Sequence, residues 1–446
     1  MITKEVTSKP FPLFKDVFGL QEIIDELTHI VEFVNENNEN EKHHLVLPKG
    51  ILLYGEPGTG KTFLVQALVN ELNLNYIHLS AQDSPEHATN NLESIFTEAR
   101  SNGPSVIFID ELDSFIESNE YGMPDSKIIN KLLNLMDGFE KYKGVIVIAA
   151  TTRFDVIPEF LLRAGRFDRK YHVPLPDLQA LEISVEHILK TLEIETNENA
   201  KSIATMFVGM SIAEVKTVLN EVYMSKRLNK NTLTMEQVID GIEKYKIGLC
   251  NINQVYNQDV KKRIAIHEIA HAFFHQKFKG IENMVRISLV KRENNYGHVM
   301  ATEGVEHMSV SKSAIEHEVM ILLAGHAAEV VFFKEATSGG AQDIDNATYM
   351  VTEMVTRFAM SKLTPRNYGL GNNCYPMDIG EKTRNALDGE VNRIITRFYK
   401  KAKKIVRKNR KIIHHLAQIL EEKTMLSNEE FKELLEKNKQ YYEAPF

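Results

Sequence analysis

Only two cysteines, Cys250 and Cys374, occur in the 446 residues. Two thiols cannot build a disulfide framework, and a reducing compartment suits them best. A secretory leader is missing as well, because residues 1–20 are interrupted by Lys4, Glu5, Lys9, Lys15 and Asp16. No apolar run reaches the ~20 residues that a membrane-spanning helix needs. The longest, Val319 to Phe333, contains Gly325, His326 and Glu329 and reads as a buried helix. Strong charge of either sign is absent: the net charge is −8, from which no general affinity for nucleic acid or an anionic membrane follows. No internal repeat or low-complexity tract stands out. These absences leave a cytoplasmic globular protein as the expectation, of a length that allows roughly two to four domains.

Short apolar runs alternate with helix-like segments in the first third. "GILLY" (50–54), "LNYIHL" (74–79), "SVIFI" (105–109) and "GVIVIAA" (144–150) have the composition of buried strands in a parallel sheet. Amphipathic segments follow the first three, the alternation of a doubly wound α/β domain. Pro174 and Pro176 end it, which gives a first unit over residues 1–177. Helical periodicity runs from Leu178 to about Lys246, with turn-rich "IETNENA" and "LNKNT" between segments, so residues 178–248 read as a small helical subdomain. The polar, aperiodic "IGLCNINQVYNQ" (247–258) leads into a third, mainly α-helical unit over 259–440. That unit carries two short strand candidates, "RISLVKR" (286–292) and "HVMATE" (298–303). Its basic run "YKKAKKIVRKNRK" (399–411) has Ala402, Ile405, Val406, Ile412 and Ile413 as an apolar helical stripe, so a solvated face is expected of the charges, with an anionic partner as the alternative.

Two motifs carry chemistry. Gly55-Glu56-Pro57-Gly58-Thr59-Gly60-Lys61-Thr62 follows the strand 50–54 and precedes the helical "TFLVQALVNEL", the context a P-loop requires. Its glycines let backbone N–H groups curl around phosphates, and the helix N-terminus adds its positive end. Lys61 would reach the β- and γ-phosphates of ATP, and the Thr62 hydroxyl would ligate Mg²⁺. Downstream, "SVIFIDELDSF" ends an apolar strand in Asp110, a carboxylate at the sheet's C-terminal edge where it can hold the same Mg²⁺. Glu111 then stands where it can orient and deprotonate the attacking water. Acidic residues after a strand also serve as helix caps, and pairing with the P-loop is what gives these two their meaning.

The second motif is His267-Glu268-Ile269-Ala270-His271. On a helix, histidines four residues apart stack on one face about 6 Å apart along the axis, so both imidazoles can ligate one Zn²⁺. Glu268, on the flank of that face, can take the proton of a metal-activated water. The flanking "KKRIAIHEIAHAFFHQKF" has no proline or glycine, and Ile266, Ile269, Ala270 and Phe273 make it apolar. A third ligand must come from elsewhere. His275 lies roughly 12 Å of helix rise beyond His267, out of reach. The position at metzincin spacing is Lys277; Glu293 stands at a thermolysin-like spacing, in the turn-like "RENNYG".

With these motifs in view, the first two units resemble the AAA+ ATPases. "KDVFG" (15–19) is similar to their nucleotide-base-binding segment, with Asp16 and Gly19 at its ends. "LLRAGRFDR" (161–169) is similar to the segment that carries their arginine fingers, which maps those roles onto Arg163 and Arg166. The resemblance implies action in trans on the ATP of a neighbouring subunit, within a ring that is commonly a homohexamer. A planar, multi-donor guanidinium suits that task. Thr152 falls where the family usually has the sensor-1 Asn; its hydroxyl can still bond a water or the γ-phosphate.

An AAA+ module followed by H-E-x-x-H resembles the FtsH-type ATP-dependent zinc proteases over nearly the whole chain. Their glycine-rich segment ending in a liganding Asp is similar to "TSGGAQDIDNAT" (337–348), which carries the third-ligand role onto Asp343, with Asp345 as a minor alternative. Gly339 and Gly340 would let this backbone approach the metal helix. The resemblance implies Zn²⁺, ATP and Mg²⁺ as cofactors and polypeptides as substrates. Four departures accompany it. The family's membrane-spanning N-terminal region has no counterpart, so a soluble form or a truncation is expected. The aromatic pore loop is replaced by "SAQDSPEHATNN" (80–91), with Tyr121-Gly122-Met123 as a substitute grip. The other two are Thr152 and Ala270, the latter where the family usually has Gly. The expected function is ATP-dependent zinc proteolysis. The alternatives are a remodelling factor with a vestigial protease, and a soluble peptidase of unfolded chains that uses nucleotide only to assemble.

Overall fold

A computed structural model describes residues 11–35, 48–80, 85–101, 104–116, 126–137, 145–227, 232–250, 257–278, 281–292, 296–303, 310–366, 368 and 380–438. The chain falls into two compact units, Met1–Thr232 and Leu233–Phe446. Tyr121, Gly122, Met123, Glu293 and residues 81–84 of the loop 80–91 lie outside the described residues.

In the first unit, β1 (Gly50–Tyr54), β2 (Asn75–Ser80), β3 (Ser105–Asp110), β4 (Val145–Thr151) and β5 (Phe167–His172) form one parallel sheet in the order β2-β3-β4-β1-β5. The four apolar runs are β1 to β4. The central strands are buried on both faces, which is why they read as continuous hydrophobic stretches. β5 was not legible: it is an edge strand paired only with β1, and only Phe167 of "FDRKYH" is fully buried. Helices α1 (Gln21–Asn35), α2 (Lys61–Leu72), α3 (Pro85–Ser101), α4 (Leu112–Ile116) and α5 (Ser126–Asp137) build two cores on the sheet. Ile51 and Leu53 face Leu64, Val65 and Leu68 of α2, while Leu52 between them faces the core of Phe96 and Leu132, the period-two alternation of a strand. Asp177 accepts a hydrogen bond from Ala180 N (2.7 Å), capping α6 (Leu178–Thr191) where the two prolines end the sheet domain. Short α7 (Ala200–Thr205) and α8 (Ile212–Arg227) complete the unit.

The second unit contains α9 (Met235–Ile247), α10 (Gln258–Lys277), β6 (Glu282–Ser288), β7 (His298–Glu303), α11 (Lys312–Leu322), α12 (Ala324–Phe333), α13 (Ala341–Thr356), α14 (Glu381–Lys408), α15 (Arg410–Lys423), β8 (Met425–Ser427) and α16 (Asn428–Lys437). An antiparallel sheet of order β7-β6-β8 lies beside the helices, and β8 joins it from far along the chain. Helix α10 is central: Ile266, Ile269, Ala270, Phe273 and Phe274 are sealed in one core with residues of α11, α12, α13, α14 and α15. The apolar run 319–333, expected as one helix, is two. The chain turns at Leu323, whose N–H closes the last turn of α11 on Val319 O, and both sides of the turn are apolar because both enter the core. On α14 and α15, Ala402, Val406, Ile412 and Ile413 are buried, as the basic run's stripe predicts.

Helix α9 groups with this unit, although its periodicity continues that of the helical subdomain. Its Glu243 is 1% exposed and accepts hydrogen bonds from Arg286 Nε (2.6 Å) and Nη2 (2.5 Å). Arg292 Nη2 and His298 Nε2 each lie 3.0 Å from the same carboxylate. No helix among the described residues is long and apolar enough to cross a membrane.

Candidate functional site

Between β1 and α2 the P-loop takes the backbone its glycines permit: Gly58 and Gly60 have φ of +74° and +96°, a region closed to most side chains. Lys61 Nζ donates to the carbonyls of Gly55 (2.8 Å) and Glu56 (2.7 Å), and Thr59 Oγ1 donates to Glu56 O (2.9 Å). Burial lowers the pKa of Lys61 against the opposing charges of Asp110, Asp113 and Glu56. Thr62 Oγ1 donates to Asp110 Oδ2 (3.0 Å), so the two expected Mg²⁺ ligands meet. Glu111 is exposed and stands in the left-handed region at φ +53°, with its N–H on Asp110 Oδ1 (3.0 Å). A non-glycine residue held there is strained, and such strain collects at functional sites.

Asp113 was not foreseen. This buried carboxylate accepts from Thr151 Oγ1 (2.8 Å) and Thr152 Oγ1 (3.1 Å), and so fixes both hydroxyls. Also missed was the start of α8: Ala213 N–H approaches Gly58 O (3.4 Å), and a Cβ on Gly58 would lie 2.6 Å from Ser211 Oγ. In sequence this looks like an ordinary helix start, since Glu214 accepts from Ser211 N (2.7 Å) and Oγ (2.9 Å) as a cap would.

The segment 15–19 is used locally. Asp16 Oδ2 accepts from Leu13 N (2.9 Å), and a Cβ on Gly19 would lie 2.4 Å from Ala180 Cβ, so Gly19 is pressed against α6. The two arginines part company. Arg163 is exposed, with no side-chain partner among the described residues, whereas Arg166 is engaged by Asp137 and by Phe160 O (2.6 Å).

On α10, His267, Glu268 and His271 are each 7% exposed. Asp343, in the first turn of α13, brings Oδ2 to 3.2 Å from His267 Nε2 and 3.4 Å from His271 Nε2. Donors around a tetrahedral zinc ion with bonds of ~2.0–2.1 Å stand about 3.3 Å apart, so these atoms are spaced as zinc ligands. Each ring is held from behind. Glu329, 2% exposed, lies with Oε1 2.7 Å from His267 Nδ1, and His271 Nδ1 donates to Ile321 O (2.8 Å). Protons on the two Nδ1 atoms leave both Nε2 lone pairs for a metal. Space is provided too: a Cβ on Gly325 would lie 2.3 Å from His267 Nε2 and 2.4 Å from His271 Nε2. The donor types and their spacing fit Zn²⁺, and the absent side chain at Gly325 leaves both rings room to stand there.

Burial pulls the His267 pKa down, but the hydrogen bonds it donates to Asp343 and Glu329 outweigh it and raise it to about 10, so a bound metal would take the place of the Nε2 proton shared with Asp343. Burial raises Glu268, against the pull of His267 and His271. Burial also works to raise Asp343, yet His271 and His267 hold it well below the usual carboxylate range. Of the two glycines expected near the metal helix, Gly340 approaches His267, its Cβ position lying 3.2 Å from Cε1, while Gly339 meets only Thr337. His275 and Asp345 lie outside the ligand cluster, and Ala270 is sealed in the core. Sequence reasoning missed Gly325 and Glu329 as site residues, although a glycine, a histidine and a carboxylate inside an apolar run signalled a buried polar centre.

An AAA-type nucleotide site on a parallel sheet and a metallopeptidase centre on a separate, mainly helical unit define the class. Residues 51–175 match the ATPase family associated with various cellular activities (AAA), and residues 254–434 match peptidase family M41. The ATP-dependent zinc metalloprotease FtsH 2 of Thermoanaerobacter sp. (strain X514) is 33% identical over 444 residues, covering 97% of this chain and 85% of its own length. FtsH of Thermotoga maritima is 32% identical over 442 residues (95% and 72%), and FtsH of Neorickettsia risticii 33% over 436 (95% and 69%). The chain belongs to the FtsH family of ATP-dependent zinc metalloproteases.

Proposed function

We propose that this chain hydrolyses peptide bonds at the centre formed by α10, α12 and α13, and hydrolyses ATP at its P-loop to deliver polypeptide there. The observation that carries this reading is the spacing of His267 Nε2, His271 Nε2 and Asp343 Oδ2, with Glu268 buried beside them. Zn²⁺ bound by these three residues would supply Lewis-acid polarisation of the scissile carbonyl and a more acidic water. Glu268 would serve as the general base and acid, taking a proton from the attacking water and giving one to the leaving amide nitrogen. Glu329 and Ile321 O keep the imidazoles in the tautomer that presents Nε2.

In the ATPase, Thr62 and Asp110 would hold Mg²⁺, Lys61 would contact the β- and γ-phosphates, and Glu111 would orient the attacking water. Thr152, fixed by Asp113, monitors the γ-phosphate. Arginines 163 and 166 serve the neighbouring subunit of a ring, for which we propose six copies. Neither the remodelling factor with a vestigial protease nor the peptidase of unfolded chains that uses nucleotide only to assemble is favoured, because the relatives similar over nearly the whole chain are ATP-dependent zinc metalloproteases. The test is casein cleavage with ATP, without ATP, and after zinc-selective chelation. The reading requires loss in both arms and recovery on adding Zn²⁺. Equal cleavage without ATP hydrolysis would reduce the ATPase to a scaffold.

A further inference from the structure

Two glycines, each pressed against α10, stand where a single methyl group would strike residues of the peptidase centre. Gly325 is the second residue of α12. A Cβ there would lie 2.3 Å from His267 Nε2, 2.4 Å from His271 Nε2 and 2.5 Å from His267 Cδ2. All three distances are far inside van der Waals contact, so that carbon would drive both imidazoles out of the positions from which their Nε2 atoms can share one ion. Nothing nearby can yield cheaply. Both rings are pinned through Nδ1, by Glu329 and by Ile321 O. Helix α12 cannot retreat either, because Ala324, Ala327 and Ala328 are fully buried in the core it shares with α10. Glycine is a poor helix residue, and here its value is the side chain it lacks.

Gly297 immediately precedes β7 and is buried. A Cβ there would meet Ile264 Cγ2 at 2.5 Å, Glu268 Oε1 at 3.1 Å and Glu268 Cγ at 3.2 Å. Ile264 and Glu268 are one turn apart on α10, so the backbone of Gly297 lies directly across the face that carries the general base. The next residue, His298, is buried with its Nε2 3.0 Å from Glu243.

We propose that Gly325 and Gly297 are positioning residues of the peptidase reaction. Gly325 keeps clear the space in which the His267 and His271 rings stand, and Gly297 sets the depth at which the Glu268 carboxylate lies. This rests on the zinc-peptidase reading above, and it assigns the two glycines separable effects. Gly325→Ala should lose metal. Gly297→Ala should keep metal and lose turnover.

The experiment measures zinc per chain by elemental analysis and by competition with a chromogenic chelator, alongside peptide kinetics and ATPase rate. Gly325→Ala is expected to bind Zn²⁺ at least about a hundredfold more weakly than the parent, with ATPase retained. Gly297→Ala is expected to hold one zinc per chain while kcat falls about tenfold or more and KM stays within about twofold. A Gly325→Ala protein with parental zinc affinity, or a Gly297→Ala protein with parental kcat, overturns the corresponding half. A parent that binds no zinc would instead remove the reading on which both rest.

Should Gly325→Ala destabilise the fold, a double-mutant cycle on the metal-free proteins keeps the test sharp. Thermal unfolding of Gly325→Ala, His267→Ala and their combination should show the alanine's cost relieved once the ring it strikes is gone. Strict additivity would overturn the assigned collision.

Discussion

Arg166 and Asp137 form a two-pronged ion pair within one chain, Nε to Oδ1 at 3.1 Å and Nη2 to Oδ2 at 2.9 Å. The hydrogen bonds that Arg166 donates to Asp137 lower the Asp137 pKa and raise that of Arg166. Arg163, three residues earlier, is the exposed one. A guanidinium that acts on a neighbour's phosphate needs free donors, so Arg163 is the better placed of the two for direct contact.

The first prediction follows from that contrast. Arg163→Ala should lower ATP turnover of assembled rings by about three orders of magnitude, the scale of an arginine finger. Mixing Arg163→Ala with Lys61→Ala subunits should restore part of the activity, because some interfaces then pair an intact P-loop with an intact arginine. Lack of recovery in rings shown to be mixed would count against action in trans.

Glu268→Gln should abolish peptide hydrolysis and leave ATP turnover close to parental, since the general base is removed and the P-loop is untouched. Steady-state assays of both reactions on one preparation decide it. Parallel loss of both activities would mean the two sites do not work separately.

Substitution at the nucleotide site should split binding from hydrolysis. Glu111→Gln should retain ATP and hydrolyse it at least about a hundredfold more slowly, while Lys61→Ala should weaken binding itself. Nucleotide retention on rapid gel filtration, together with phosphate release, distinguishes them. Parental turnover in Glu111→Gln would reject Glu111 as the water-orienting residue.

Glu243 gives the second unit an acid-sensitive element. Burial alone would raise its pKa, but His298 and Arg286 overcome that and lower it from 4.5 to about 2. A carboxyl whose folded pKa is depressed stabilises the native state fully above its unfolded value. That contribution, on the order of 3 kcal/mol, is lost as pH falls from about 4.5 towards 2. Glu243→Gln should destabilise the unit by about 3–5 kcal/mol at neutral pH, because Arg286 and Arg292 then lose a buried counter-charge. The gap between parent and variant in thermal unfolding should narrow towards pH 2; a gap constant with pH would contradict this role.

Much of this molecule is written in short-range pattern. The strands β1 to β4 are legible because they are sandwiched between helices and therefore uniformly apolar. His267 and His271 are legible because helical spacing alone puts them on one face. Asp343 lies far along the chain from both, so its meeting with them is a property of the tertiary fold that periodicity does not encode; a family resemblance was needed to name it. Gly325 and Glu329 act through close approach and through the far side of a ring, and neither leaves a spacing signature. Edge strand β5 and the three-residue β8 were illegible because backbone pairing, with few buried side chains, defines them.

The central claim is that one zinc ion sits on two imidazole nitrogens and the Asp343 carboxylate. X-ray absorption at the zinc edge, with metal content measured on the same samples, addresses it directly in the parent and in Asp343→Ala. The account predicts one zinc per chain in the parent, with two histidine ligands and light oxygen or nitrogen donors at ~2.0–2.1 Å. In Asp343→Ala it predicts zinc affinity reduced by at least about tenfold together with loss of casein cleavage. Unchanged occupancy and unchanged cleavage in that variant would contradict it.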